Sequence, residues 1–132
     1  MRRLFYVIRW CMSVIELSET DFEQIVTEND FVIIDYWSPV CGPCRSFAPI
    51  FEKVADDYPE ILFAKVNTEE QQKIAMGLSI RTVPTVMILR DQIVVFNKPG
   101  ALIESAFREI ICKAIELDMS EVQKQIKSRN NI

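Results

Sequence analysis

The stretch Phe31-Val32-Ile33-Ile34-Asp35-Tyr36-Trp37-Ser38-Pro39-Val40-Cys41-Gly42-Pro43-Cys44 decides the fold. Its first seven residues are nearly all apolar, β-branched or aromatic. Such a run reads as a central strand buried on both faces, the habit of parallel sheets. Ser38 to Pro43 reads as a turn feeding a helix. In that helix Phe47, Ile50, Phe51, Val54, Ala55 and Tyr58 recur at the spacing of one apolar face, and Pro59 ends it. Pro49 falls mid-helix and is expected to kink it, because it removes one backbone bond.

Working outward, Ser13 to Leu17 is a short strand, and Ser18 and Thr20 offer caps for a helix carrying Phe22, Ile25 and Val26. Ile61 to Val66 is a second buried strand. Glu69 to Met76 is a short polar helix closed by Gly77. Thr85–Leu89 and Ile93–Phe96 form a hairpin about the turn Arg90-Asp91-Gln92. Phe107, Ile110, Ile111, Ala114 and Ile115 stripe a last helix. Alternating strands and helices followed by a hairpin imply an α/β domain of three layers, helices on both faces of a mixed central sheet. That domain covers residues 13–117. Residues 1–12 are expected to be a disordered extension, and 118–132 a polar, weakly helical, frayed tail.

Composition narrows the chemistry. The 132 residues are 49% apolar and 26% charged, which fits one soluble globular domain. Lys and Arg number 15 against 19 Asp and Glu, a net charge of -4 that disfavours nucleic acid. The apolar run Leu4–Ile8 is too short for a secretory core or a spanning helix, so a cytoplasmic protein with no membrane attachment is expected. With no His, the commonest general base and metal ligand are missing. Any chemistry runs on cysteine and carboxylate.

Four cysteines, Cys11, Cys41, Cys44 and Cys112, are too few for a disulfide-stapled scaffold. Cys41 and Cys44 are three residues apart, a spacing at which a disulfide can open and close within one helical turn. The helix N-terminus favours the thiolate, most of all at its outermost position. Cys41 therefore attacks and Cys44 resolves. Half a zinc site, or a chance pair of small core residues, are the bland alternatives, and Pro43 in the first turn weighs against chance. Asp35 shares a strand face with Ile33 and Trp37. A carboxyl buried there should have a raised pKa and accept the Cys44 proton through a water; a hydrogen-bonded structural Asp is the competing reading. Lys65 either pairs with Asp35 or reaches solvent. The Val83–Pro84 bond, on residues alone, is cis in only about 5% of cases. Cys112 lies beside the core stripe, a partly exposed bystander.

In order and spacing, Asp35-Tyr36-Trp37, Cys41-Gly42-Pro43-Cys44, Ala48-Pro49, Ala64-Lys65-Val66-Asn67, Val83-Pro84-Thr85 and Gly100-Ala101 resemble the thioredoxin family over about residues 14–117. The resemblance implies a thioredoxin fold with Cys41 as nucleophile, Cys44 as resolving thiol, and Asp35 as the buried acid beside Lys65. It also implies a cis Val83–Pro84 bond beside the active site. Gly42-Pro43 between the thiols is similar to the reducing members, so the expected activity is protein-disulfide reduction in redox homeostasis. Expected partners are disulfide-containing proteins and an NADPH-dependent flavoprotein thioredoxin reductase, with no bound cofactor or metal and a monomeric chain. Trp37, Val40, Gly42, Pro43, Val83, Pro84, Gly100 and Ala101 would form a docking surface. Val40 stands where the family has Trp, and Gln92 where its hairpin turn has Gly. A partner-binding subunit that does not need its thiols is one rival. A disulfide oxidase or isomerase is another, separable by the equilibrium with glutathione.

Overall fold

The computed structural model describes residues 13–130, so the expectations for residues 1–12, Cys11 among them, lie outside the described residues. In chain order the elements are β1 (Val14–Glu16), α1 (Phe22–Glu28), β2 (Phe31–Trp37), α2 (Gly42–Asp56) and β3 (Leu62–Asn67). They continue with α3 (Gln72–Gly77), β4 (Thr85–Arg90), β5 (Ile93–Pro99), α4 (Glu104–Glu116) and α5 (Met119–Asn130). The strands form one mixed sheet ordered β1-β3-β2-β4-β5. β2 lies at its centre, parallel to β3 and antiparallel to β4.

Because side chains alternate along a strand, β2 feeds two cores. Val32, Ile34 and Tyr36 pack with Ile25, Val26 and Ile74 on the α1/α3 face. Ile33 packs with Phe47, Phe51, Phe63, Phe107 and Ile111 on the α2/α4 face. There Phe51 and Phe107 stack at a centroid distance of 5.7 Å, and Phe47 meets Phe107 at 5.5 Å. This is the expected three-layer arrangement, and it fixes α2 against the sheet behind Cys41. No helix among the described residues is long and apolar enough to cross a membrane.

Several local expectations are corrected. Asp21, not Ser18 or Thr20, holds the cap position of α1; its carboxylate instead accepts the Ser18 N–H at 2.8 Å. α2 ends at Asp56, three residues before Pro59, with Pro49 inside it. Gly77 lies within α3, and the left-handed residue after it is Ser79. Ile115 is 45% exposed, one step too far round α4 to reach the core. The tail is polar as read, yet it forms a helix. Asp118 starts α5 by accepting the N–H groups of Ser120 and Glu121, and Met119 is buried, while Val122 and Ile126 line a cavity with Ile93, Val94 and Val95.

The hairpin turn explains its own departure from the family pattern. Asp91 and Gln92 both take positive φ, 52° and 65°, as a two-residue turn of this hand requires. Gln92 is no glycine, but its amide donates to the carbonyls of Val26, Thr27 and Asn29, at the open C-terminal end of α1.

Phe107 sits at the centre of the ring cluster that presses α2 onto the sheet. Phe107→Ala is expected to cost about 3–5 kcal/mol of stability in urea unfolding, with the denaturant slope unchanged. A loss below about 1 kcal/mol would contradict this packing.

Candidate active site

α2 begins at the end of β2, and Cys41 occupies its cap position with extended backbone. Gly42 and Pro43 form the exposed first turn, which contains no acidic side chain. The Cys44 N–H donates to the Cys41 sulfur at 3.1 Å. That bond comes from one of the free N–H groups of the helix start, so it favours negative charge on Cys41 Sγ when the bridge is open. The structure holds the oxidised form, with Cys41 and Cys44 bonded and their Cα atoms 5.3 Å apart. Cys41 is half-buried at the open end, whereas Cys44 is 3% exposed and faces the sheet. Among the described residues, no cluster of His, Cys, Asp or Glu is placed to hold a metal ion, and Cys112 is free and exposed on α4.

Behind Cys44 lies a cavity of about 220 Å³ lined by Asp35, Trp37, Ser38, Pro39, Cys44, Arg45, Ala48 and Lys65. Asp35 and Cys44 thus share one space, roomy enough for a bridging water. Asp35 is wholly buried, and neither carboxyl oxygen has a hydrogen-bond partner. Burial lifts its pKa from 3.8 to about 7, against the opposing pull of the Lys65 ammonium. Lys65 is the register partner of Asp35 across β2 and β3, and its Nζ lies 4.8 Å from the centroid of the Trp37 ring.

The opposite wall is the loop before β4. The Val83–Pro84 bond is cis, and the Val83 carbonyl oxygen lies 3.6 Å from Cys41 Sγ. Two bonds hold this loop. Thr85 Oγ1 donates to Thr82 O at 2.7 Å, and the Gly100 N–H donates to Pro84 O, also at 2.7 Å. Gly100 has a φ of 105°, which side chains rarely tolerate, so glycine suits this position. Val40, Gly42, Pro43, Gly100 and Ala101 are exposed and Val83 is half-buried around Cys41. Pro84 is a correction: it is buried beneath this surface, immediately before the buried strand β4 and with its carbonyl bonded by the Gly100 N–H. Trp37 is half-buried at the back of the site.

Ser38 was not legible as a site residue. It is 5% exposed, donates to Glu69 at 3.2 Å and accepts the Val40 N–H at 3.4 Å. Thr68 adds a second tie, its N–H donating to Trp37 O at 2.9 Å. These bonds tether the segment before Cys41 to the loop after β3. Their one trace in the sequence is a polar run, Asn67 to Glu70, directly after a buried strand.

A thiol pair at a helix start, one sulfur open and one buried above a carboxyl, defines a thiol–disulfide oxidoreductase. The comparisons agree. The family model described as Thioredoxin matches residues 13–113. A Streptomyces coelicolor protein assigned as thioredoxin 2 is 46% identical over 114 residues, covering 86% of this chain and 85% of its own. Thioredoxin of Porphyra purpurea is 36% identical, covering 79% and 99%. The crystal structure of spinach chloroplast thioredoxin f superposes with a TM-score of 0.68 at 33% identity, covering 75% of this chain and 91% of that one. The chain belongs to the thioredoxin family, and it acts on disulfide substrates through Cys41 and Cys44.

The buried acid makes a stability prediction for the oxidised protein. Folded Asp35 titrates near 7 and the unfolded chain near 3.8, so between these values the folded state holds the proton more tightly. Stability must therefore fall as pH rises through that window, by about 4 kcal/mol in all. Asp35→Asn should remove this loss, so that urea unfolding at pH 5 and pH 8 shows a much flatter difference than wild type. Equal pH dependence in the two proteins would contradict the assignment.

Proposed function

We propose that the protein is a reductase of protein disulfides in which Cys41 is the nucleophile, Cys44 the resolving thiol and Asp35 the proton acceptor. The observation that carries these roles is the asymmetry of the pair: Cys41 Sγ is open and receives the Cys44 N–H, while Cys44 is buried on a cavity shared with Asp35. The Cys41 thiolate attacks one sulfur of a substrate disulfide, breaking that bond and releasing the other sulfur as a thiolate. Asp35 takes the Cys44 proton. The Cys44 thiolate then attacks Cys41 Sγ, releases the second substrate thiolate and leaves the Cys41–Cys44 bridge. Two electrons have passed to the substrate.

The Val83 carbonyl beside Cys41 supports docking of an extended substrate segment along the loop before β4. Val40, Gly42, Pro43, Gly100 and Ala101 form the rim of this surface, with Trp37 behind it and Pro84 beneath. Val40 offers far less contact area than the Trp of related chains, so partner choice at this edge differs from theirs. An NADPH-dependent flavoprotein thioredoxin reductase would reopen the bridge, and the protein would work as a cytoplasmic monomer. These last features rest on the family likeness and on the redox chemistry such a pair requires.

Cys44→Ser should arrest the reaction after the first step and accumulate mixed disulfides on Cys41, seen as reductant-sensitive adducts by mass spectrometry. The adducts should persist when Cys112→Ser is added. Adducts formed equally through Cys112 would overturn the role of Cys41.

A further inference from the structure

The reading of Asp35 as proton acceptor leaves open what keeps Lys65 beside it. A lysine at the solvent side of a strand ordinarily extends into water, because its ammonium is strongly hydrated and its stem flexible. Here Nζ sits over the Trp37 ring at 4.8 Å, within the range where an indole face attracts a cation. Trp37 is two residues beyond Asp35 on β2, and so on the same face; Lys65 is paired to Asp35 from β3. All three line one cavity with Cys44. The Trp37 Nε1–H is buried and bonds no protein group, and the ring meets Lys65 through its face.

We propose that Trp37 is a positioning residue for the thiol chemistry, its indole face holding the Lys65 ammonium beside the buried Asp35 carboxyl and so setting the charge felt by Cys44. The inference rests on the proton-acceptor role of Asp35 and extends it. Glu16 on β1 is the register partner of Lys65 and the one acid set beside that cation from the far strand; no ion pair joins the two, and its carboxylate is exposed. The groups packed around Asp35 from the other elements do not substitute for Lys65. Arg45 on α2 lines the same cavity, but its guanidinium donates to the Pro39 carbonyl at 3.2 Å. Cys44 is bonded to Cys41 in the oxidised state, and β4 sets the uncharged Val86 beside Asp35. Lys65 is the cation that opposes burial at this carboxyl.

The test follows the Asp35 carboxyl carbon by NMR through a pH titration of the oxidised protein, a readout independent of turnover. Loss of a neighbouring opposite charge typically raises a carboxyl midpoint by about one pH unit or more. Trp37→Leu should therefore raise it by roughly one pH unit. Trp37→Phe, which keeps an aromatic face, should fall between Leu and wild type. Lys65→Met should raise it similarly, and adding Trp37→Leu to Lys65→Met should change nothing further. An equal rise from Trp37→Leu with and without Lys65 would overturn the proposal, since the ring would then act without the cation. A second measurement needs no variant: the Lys65 side-chain methylene protons of the wild type should resonate upfield of their unfolded positions, shielded by the indole. Unshifted signals would likewise overturn it. Asp35→Asn tests the reading beneath: unchanged disulfide turnover in that variant would remove Asp35 as proton acceptor, while the NMR results would still report whether Trp37 holds Lys65.

Discussion

Everything chemical in this molecule depends on where α2 begins. A helix leaves its first N–H groups without intrahelical partners, and here one of them, on Cys44, points at the sulfur of Cys41. A single backbone bond thus does two things. It caps the helix with a sulfur, and it makes negative charge on that sulfur more favourable than in an unfolded chain. The first turn helps by what it lacks. Gly42 and Pro43 bring no acid near Cys41, and Pro43 gives up an N–H that would have gone unpaired anyway.

The rest of the fold holds that helix start in place. The ring cluster of Phe47, Phe51, Phe63 and Phe107 seats α2 on the sheet, and the sheet places Asp35 under Cys44. The Ser38–Glu69 and Thr68–Trp37 bonds fix the approach to Cys41 from one side, and the Gly100–Pro84 bond fixes the Val83 loop on the other. Against this scaffold stands one feature that works against stability. A carboxyl that no protein group hydrogen-bonds is buried at the centre of the sheet, an arrangement that costs free energy whenever it ionises. In the proposed mechanism this carboxyl, its pKa raised to about 7 by burial, can both take and return a proton where a surface Asp would stay ionised.

Much of this was legible because the relevant signals are local. Phe31 to Trp37 is uniformly apolar save for Asp35, and β2 has those bounds. The stripe from Phe47 to Ala55 needs only helical periodicity to be read, and the thiols follow from their spacing. What escaped depends on contacts distant in sequence. The Ser38–Glu69 bond joins residues 31 apart, and no local pattern marks Ser38. Pro84 is tied by its carbonyl to Gly100, sixteen residues on, a contact no local pattern marks. Gln92 reads as a poor turn residue until α1 is seen ending beside it. α5 is a different failure: Met119, Val122 and Ile126 do recur at helical spacing, but the polar residues between them weakened the signal, and the apolar surface of β5 that supports them was not visible.

The most direct test is the rate at which Cys41 of the reduced protein reacts with iodoacetamide as a function of pH, with Cys11 and Cys112 replaced by Ser and the adduct on Cys41 resolved from that on Cys44 by peptide mass spectrometry. The account predicts that the alkylation midpoint of Cys41 lies well below the value of about 8.5 shown by a free cysteine, and moves back toward it in the unfolded chain. A folded protein whose Cys41 titrates at the same pH as the unfolded chain would contradict the claim that the helix start activates it.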